Sequence, residues 1–192
     1  LPDDPLAFIT DQLSALDEVP IQPGVNVRST TVDPIREAAA LCANHGSILE
    51  INAHCRQPEV REVGCGETLL ADSDRLTKYV EAATVEGAAV SIKVRADVPG
   101  VDLPTVARRV EDAGADAIHV DAMDSEAVIR DVAAATDLFV IANNEVRDRA
   151  SVREYLAYGA NAVSVGRPSR EPTGPVLRRV AAAVEEWEAP VQ

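Results

Sequence analysis

The sequence predicts an α/β fold: a (β/α)8 TIM barrel, incomplete here, with about six βα units and the first two missing. Three observations predict it. Short, β-branched apolar runs alternate with amphipathic stretches along the chain. A junction repeats: Gly-Ala-Asp-Ala-Ile-His-Val at 114–120 matches Gly-Ala-Asn-Ala-Val-Ser-Val at 159–165. The copies are separated by one further helix and strand, as a βα repeat with right-handed crossovers requires. No GxGxxG or Walker loop follows any strand, which weakens the open, doubly wound alternatives.

Each element has its own local signal. Asp4–Asp17 reads as a helix with Leu6, Ile9, Leu13 and Leu16 on one face. Gly24–Arg28 is the first strand. Asp33-Pro34 supplies an N-cap and an N1 proline to the next helix, and Gly46 lies just past its end. Ile48–Ala53 and Ala89–Arg95 are the second and third strands. Asp102 and Pro104 open a helix that Gly114 closes. Ala117–Ala122 and Leu138–Asn143 follow as strands. Asp148 opens a helix closed by Gly159, Ala162–Gly166 is the last strand, and Pro175–Trp187 is the last helix.

The chain has 192 residues, enough for one domain with a substantial core but below the roughly 250 of a typical closed barrel. Its only methionine is Met123, so it does not begin at a start codon. A single domain over residues 1–192, truncated at the amino end and without a linker, is the expectation. Hydrophobic residues make up 46%, which excludes a disordered chain. No stretch is apolar enough to span a bilayer, and the acidic opening Leu1-Pro2-Asp3-Asp4 is not a signal peptide. A cytoplasmic protein with no membrane contact is expected. The formal charge is −14, and Lys78 and Lys93 are the only lysines. Such a surface reads as halophilic, and at molar salt the Debye length is about 3 Å, so acidity does not by itself exclude nucleic acid. The three cysteines show no paired spacing. His54, Cys55 and Cys65 match no common metal site, so no metal is expected.

In a barrel, chemistry sits at the carboxyl ends of the strands, and side chains alternate inward and outward. Polar residues inside a parallel strand are the informative ones. Glu50 and Asn52 share a face of one strand, Ser91, Lys93 and Arg95 a face of the next, and His119 and Asp121 a face of the third. Lys93 is either a structural ion pair with Glu50 or Asp121, or a cation beside an anionic cofactor. Cys55 stands among polar neighbours just past a strand, unlike Cys42 on a helix's apolar side; Cys65, in Gly64-Cys65-Gly66, reads as structural. Asn143-Asn144 and Gly166-Arg167 follow the last two strands, where barrels often hold a phosphate.

These residues resemble a known family. Asn52-Ala53-His54-Cys55 with Gly64-Cys65-Gly66-Glu67-Thr68-Leu69-Leu70 resembles the N-x-G-C-P … G-x-G-x-x-L-L signature of tRNA-dihydrouridine synthases. Ser91–Arg95 resembles that family's V-K-I-R strand, Val140–Asn144 its V-I-A-N-G and Val165–Arg167 its I-G-R. The match is colinear from about Val25 to Arg170, and is nearest to a short archaeal group of such barrels. The resemblance implies an FMN-holding barrel in which NADPH reduces the flavin. The flavin then passes hydride to C6 of a uracil ring, and a cysteine, here Cys55, protonates C5. It places Lys93 at the flavin or base. It assigns Asn26, Asn143, Asn144, Gly166 and Arg167 to the cofactor, and Asn52, Arg95, His119 and Asp121 to the substrate. The departures are Arg56 where the family has proline, Asp121 where it has histidine, Asn26 where it has glutamine, and Asn144 where it has glycine. The family's helical tRNA-binding domain is not expected in this chain. The implied partner is tRNA or a small pyrimidine, and open barrel edges suggest a homo-oligomer. Two other readings compete: a non-redox phosphate-binding barrel enzyme, and a barrel that has lost flavin chemistry and only binds.

Overall fold

Six strands alternate with helices, and each strand pairs with the next one in sequence. The computed structural model describes residues 3–170 and 174–188. The strands are β1 (Gly24–Val27), β2 (Ile48–Asn52), β3 (Ala89–Arg95), β4 (Ala117–Asp121), β5 (Phe139–Asn143) and β6 (Ala162–Ser164). All pairings are parallel and the order is β1 to β6, giving an open sheet with β1 and β6 at its edges. This is the chain-order parallel sheet expected of an incomplete barrel.

The helices are α1 (Pro5–Ser14), α2 (Asp33–Asn44), α3 (Pro58–Glu62), α4 (Glu67–Ala71), α5 (Ser73–Val85), α6 (Leu103–Asp112), α7 (Val128–Ala133), α8 (Arg149–Ala157) and α9 (Pro175–Glu188). Two of the expected caps are made. The Asp102 carboxylate accepts the Thr105 N–H at 3.0 Å, and Asp148 forms a reciprocal capping box with Ser151. Asp33 does not cap: Val32 holds that position, and Asp33 lies inside the first turn, where its charge still favours the helix dipole. The crossover from β2 to β3 carries three helices, two of them only five residues long. In α1 only Leu13 of the expected apolar stripe is fully buried, and the helix stops before Leu16.

Register divides the sheet into two chemically distinct faces. Val27, Ile51, Ile92, Ile118 and Val140 stand side by side on one face, with Val94, Val120 and Ala142 in the next rung. The helices cover this face, and α2, α5, α6 and α8 contribute Ala39, Leu76, Val110 and Val152 to its core. Above a first rung of Gly24, Ile48 and Ala89, the other face carries three rungs with polar residues. The lowest is Asn26, Glu50, Ser91, Ala117 and Phe139. Above it lie Asn52, Lys93, His119, Ile141 and Ala162. Arg95, Asp121, Asn143 and Ser164 form the rung at the carboxyl end.

Candidate active site

The loop after β2 is fixed from both sides. Buried Asn52 accepts the N–H groups of His54 and Cys55 at 3.3 and 3.1 Å, an Asx-type turn at the strand end. Its amide also donates to Asn26 Oδ1 at 2.9 Å. On the far side the Cys55 carbonyl accepts the Glu67 N–H at 3.0 Å. Gly66 makes this approach possible. Its φ is +60°, and a Cβ there would sit 2.1 Å from the Cys55 carbonyl oxygen, so no other residue fits. Cys55 is 9% exposed, and its thiol donates to Gln57 Oε1 at 3.6 Å. Cys65 is buried beside this loop, where burial raises its thiol pKa against the nearby charges of Arg75 and Arg28. Cys42 is sealed in α2, its thiol pushed up to about 11 by burial.

A polar network occupies the middle of the open face. Glu50 Oε2 lies 2.7 Å from His119 Nδ1, and Glu50 Oε1 accepts from Asn26 at 2.7 Å. Ser91 donates to Glu50 Oε2 at 3.4 Å. His119 Nε2 in turn lies 3.5 Å from Lys93 Nζ. Lys93 therefore reaches the Glu50 carboxylate through an imidazole rather than by direct contact. Burial alone would raise the Glu50 pKa, but the hydrogen bond and charge of His119, the Asn26 bond and the charge of Lys93 together lower it. Glu50, Ser91 and Asn26 also line a groove of about 370 Å³ at the amino end of this face, with Phe139 on its wall.

At the carboxyl end, His54 Nε2 lies 3.6 Å from Asp121 Oδ2. Burial lowers the His54 pKa, and the charge of Lys93 adds to this, with Asp121 acting the other way. Ala53 N–H bonds the Lys93 carbonyl at 2.8 Å, so the Cys55 loop leaves the sheet beside Lys93. Arg95 stays on the top rung and donates to the Ala96 carbonyl at 3.4 Å. Asn143 ends β5 on the same rung, and Asn144 follows with φ 111°. That value is one glycine adopts freely, which explains why the resembled motif has glycine here. The Tyr155 hydroxyl donates to the Asn144 carbonyl at 3.0 Å and pins this turn. Gly166 and Arg167 are exposed, and Arg167 begins a 3-10 turn that runs to Arg170.

Cys55, Lys93, Arg95, Asp121, Asn143 and Arg167 thus all lie in the upper two rungs or in the loops that leave them. Asn26 lies on the lowest of the three polar rungs and is tied to Glu50 and Asn52. His119 is 8% exposed, one rung below Asp121. The residue that sequence reasoning undervalued is His54. Its signal was its place between Asn52 and Cys55, but nothing local identifies Asp121 as its neighbour.

Comparison with known proteins places the chain in a family and a fold. The family model for dihydrouridine synthase matches residues 17–188. The chain belongs to the dihydrouridine synthase family. At the family level this is a group of flavin-dependent oxidoreductases. An uncharacterized protein of Methanocaldococcus jannaschii is 28% identical over 171 residues, covering 84% of this chain and 65% of its own length. The chain thus spans just under two-thirds of that relative. Among solved structures, DHODH from Eimeria tenella in complex with ferulenol superposes with a TM-score of 0.71 at 17% identity, covering 95% of this chain and 62% of that one. A FabK mutant from Thermotoga maritima gives 0.57 at 22% identity, covering 84% and 49%. These two likenesses concern the fold. Among the described residues no helix is long and apolar enough to cross a membrane.

Proposed function

We propose that this chain carries the active site of an FMN-dependent reductase that saturates the C5–C6 double bond of a uracil-like ring, in tRNA or in a small pyrimidine. The observation that carries the reading is the Cys55 loop, braced by Asn52 and Gly66 beside Lys93, in a chain of the dihydrouridine synthase family. The donor set suits an anionic, planar cofactor. Lys93 and Arg95 bring two cations to the open face, and the β5 and β6 loops add Asn143, Asn144, Gly166 and Arg167 for a phosphate, with Asn26 below. When bound, FMN reduced by NADPH supplies hydride to C6.

The remaining work falls to the chain's own residues. Cys55 gives its S–H proton to C5 as the C–H bond forms, and the resulting thiolate regains a proton from solvent. Its thiol rests against Gln57 Oε1, which orients the S–H. Lys93 holds positive charge where the cofactor and ring become electron-rich. Asn52 positions the Cys55 loop, while Arg95, His119 and Asp121 face the substrate. The acidic, lysine-poor surface suits a high-salt cytoplasm, and the unpaired outer edges of β1 and β6 suit self-association.

The test is direct. The purified protein should carry flavin absorbance, bleach on addition of NADPH, and regain colour when a uracil-containing acceptor is added. Flavin that NADPH does not reduce would overturn the redox reading.

A further inference from the structure

Hydrogen bonds leave the Glu50 carboxylate in two directions. One arm joins Glu50 Oε2 to His119 Nδ1 at 2.7 Å, then His119 Nε2 to Lys93 Nζ at 3.5 Å. The other joins Glu50 Oε1 to the Asn26 amide at 2.7 Å, Asn26 Oδ1 to the Asn52 amide at 2.9 Å, and Asn52 Oδ1 to the Cys55 N–H at 3.1 Å. The arms end at the Lys93 ammonium and at the loop that carries Cys55.

The carboxylate fixes the direction of both arms. Burial acts to raise the Glu50 pKa, but the contacts of His119 and Asn26 and the charge of Lys93 lower it, so at neutral pH the group is an anion that can only accept. His119 must therefore donate from Nδ1, which leaves Nε2 as the lone pair that Lys93 meets. Asn26 must donate its amide N–H, which leaves Oδ1 to accept from Asn52. Asn52 Oδ1 is then free to accept the N–H groups of His54 and Cys55. The Ser91 hydroxyl, 3.4 Å from Oε2, can donate or accept and sets no direction. A donor in place of either Glu50 oxygen would reverse one arm. Facing His119, it would move the ring proton to Nε2, against the Lys93 ammonium. Facing Asn26, it would turn both amides and set the Asn52 N–H against the Cys55 N–H.

We propose that Glu50 is a shared positioning residue: through His119 it orients Lys93, and through Asn26 and Asn52 it orients the Cys55 loop. One anion at the middle of the sheet thereby holds in register two groups that come from different strands. This rests on the proposed function only for what Lys93 and Cys55 do once they are in place.

The experiment uses nitrogen-15 NMR of the purified protein at neutral pH, reading the His119 tautomer and the hydrogen exchange of the Cys55 amide. The unaltered protein should hold His119 with its proton on Nδ1. Glu50→Gln keeps the size of the side chain but presents one acceptor and one donor, so both arms cannot keep their direction. Either His119 should move its proton to Nε2, or the Cys55 amide should exchange about three- to tenfold faster. Asn26→Ala, at an exposed position, should speed Cys55 exchange and leave the His119 tautomer as it was. The Ile118 amide and the thermal midpoint report whether each variant is folded. A proton on Nε2 in the unaltered protein would overturn the proposal without any variant. So would Glu50→Gln with both readings unchanged, or Asn26→Ala with Cys55 exchange unchanged. None of these readings requires turnover, and bleaching by NADPH tests the redox reading separately, so the two failures are distinguishable.

Discussion

On the helix side of the sheet, Leu49, Ile51, Val90, Ile92, Ile118, Val120 and Val140 are no more than 1% exposed. One residue away along the same strands stand Glu50, Asn52, Ser91, Lys93, His119 and Asp121. The backbone is shared, so the difference lies in what each face must do. The first face gains stability from apolar burial against helices. The second gathers polar and charged groups whose desolvation is offset where they pair, as Glu50 does with His119, Asn26 and Ser91. Strand alternation thus separates stability from chemistry in this chain.

The sharpest way to break that separation is at Cys55. Cys55→Ala should leave folding and flavin reduction by NADPH intact while slowing ring reduction by about 10²–10⁴-fold, roughly 3–5 kcal/mol in the barrier. Stopped-flow measurement of the two half-reactions reads this. Unchanged ring reduction would remove Cys55 from the acid role and make His54 the next residue to test.

The sealed face should answer differently. Ile118 is fully buried between two neighbouring strands. Ile118→Ala should cost about 2–5 kcal/mol of stability in urea unfolding. If His119→Ala, its neighbour on the opposite face, proved equally costly, the division of labour would not hold. A smaller effect is expected at Lys93. Lys93→Ala should weaken FMN binding by about tenfold, about 1.4 kcal/mol, while lowering stability less than Ile118→Ala does. Fluorescence titration with FMN checks it, and unaltered affinity would return Lys93 to a purely structural role.

Much of this division was legible in the sequence. The period-two pattern in Ser91-Ile92-Lys93-Val94-Arg95 separates the faces of β3 without further information, and its bounds at Ala89 and Arg95 agree with the structure. The last strand extends only to Ser164 rather than Gly166, because pairing stops where its single neighbour, β5, ends. Helices α3 and α4, at five residues, are too short to show a helical period. The pairings inside the site were not legible. That His119 stands between Glu50 and Lys93, and that His54 meets Asp121, depends on how separate strands align, and local pattern does not carry that alignment.

The smallest expected effect tests the polar face by its pH dependence. Glu50 is the anion of the central network, its pKa lowered because the contacts of His119, Asn26 and Lys93 outweigh the opposing effect of burial. A carboxyl held below its unfolded value, about 4.3, stabilises the fold above that value. This contribution is lost as the pH falls through the lower, folded value. The wild-type protein should therefore lose stability below about pH 4–5 partly through Glu50, whereas Glu50→Gln lacks that component and starts from a lower stability at neutral pH. The difference between the two in urea unfolding free energy should narrow as the solution is acidified. Asp102 and Asp148, whose pKa values are lowered by their helix-capping bonds, titrate in both proteins and cancel in the difference. A gap that stays constant with pH would mean that the network does not rest on the Glu50 charge, and that its hydrogen bonds alone hold His119 in place.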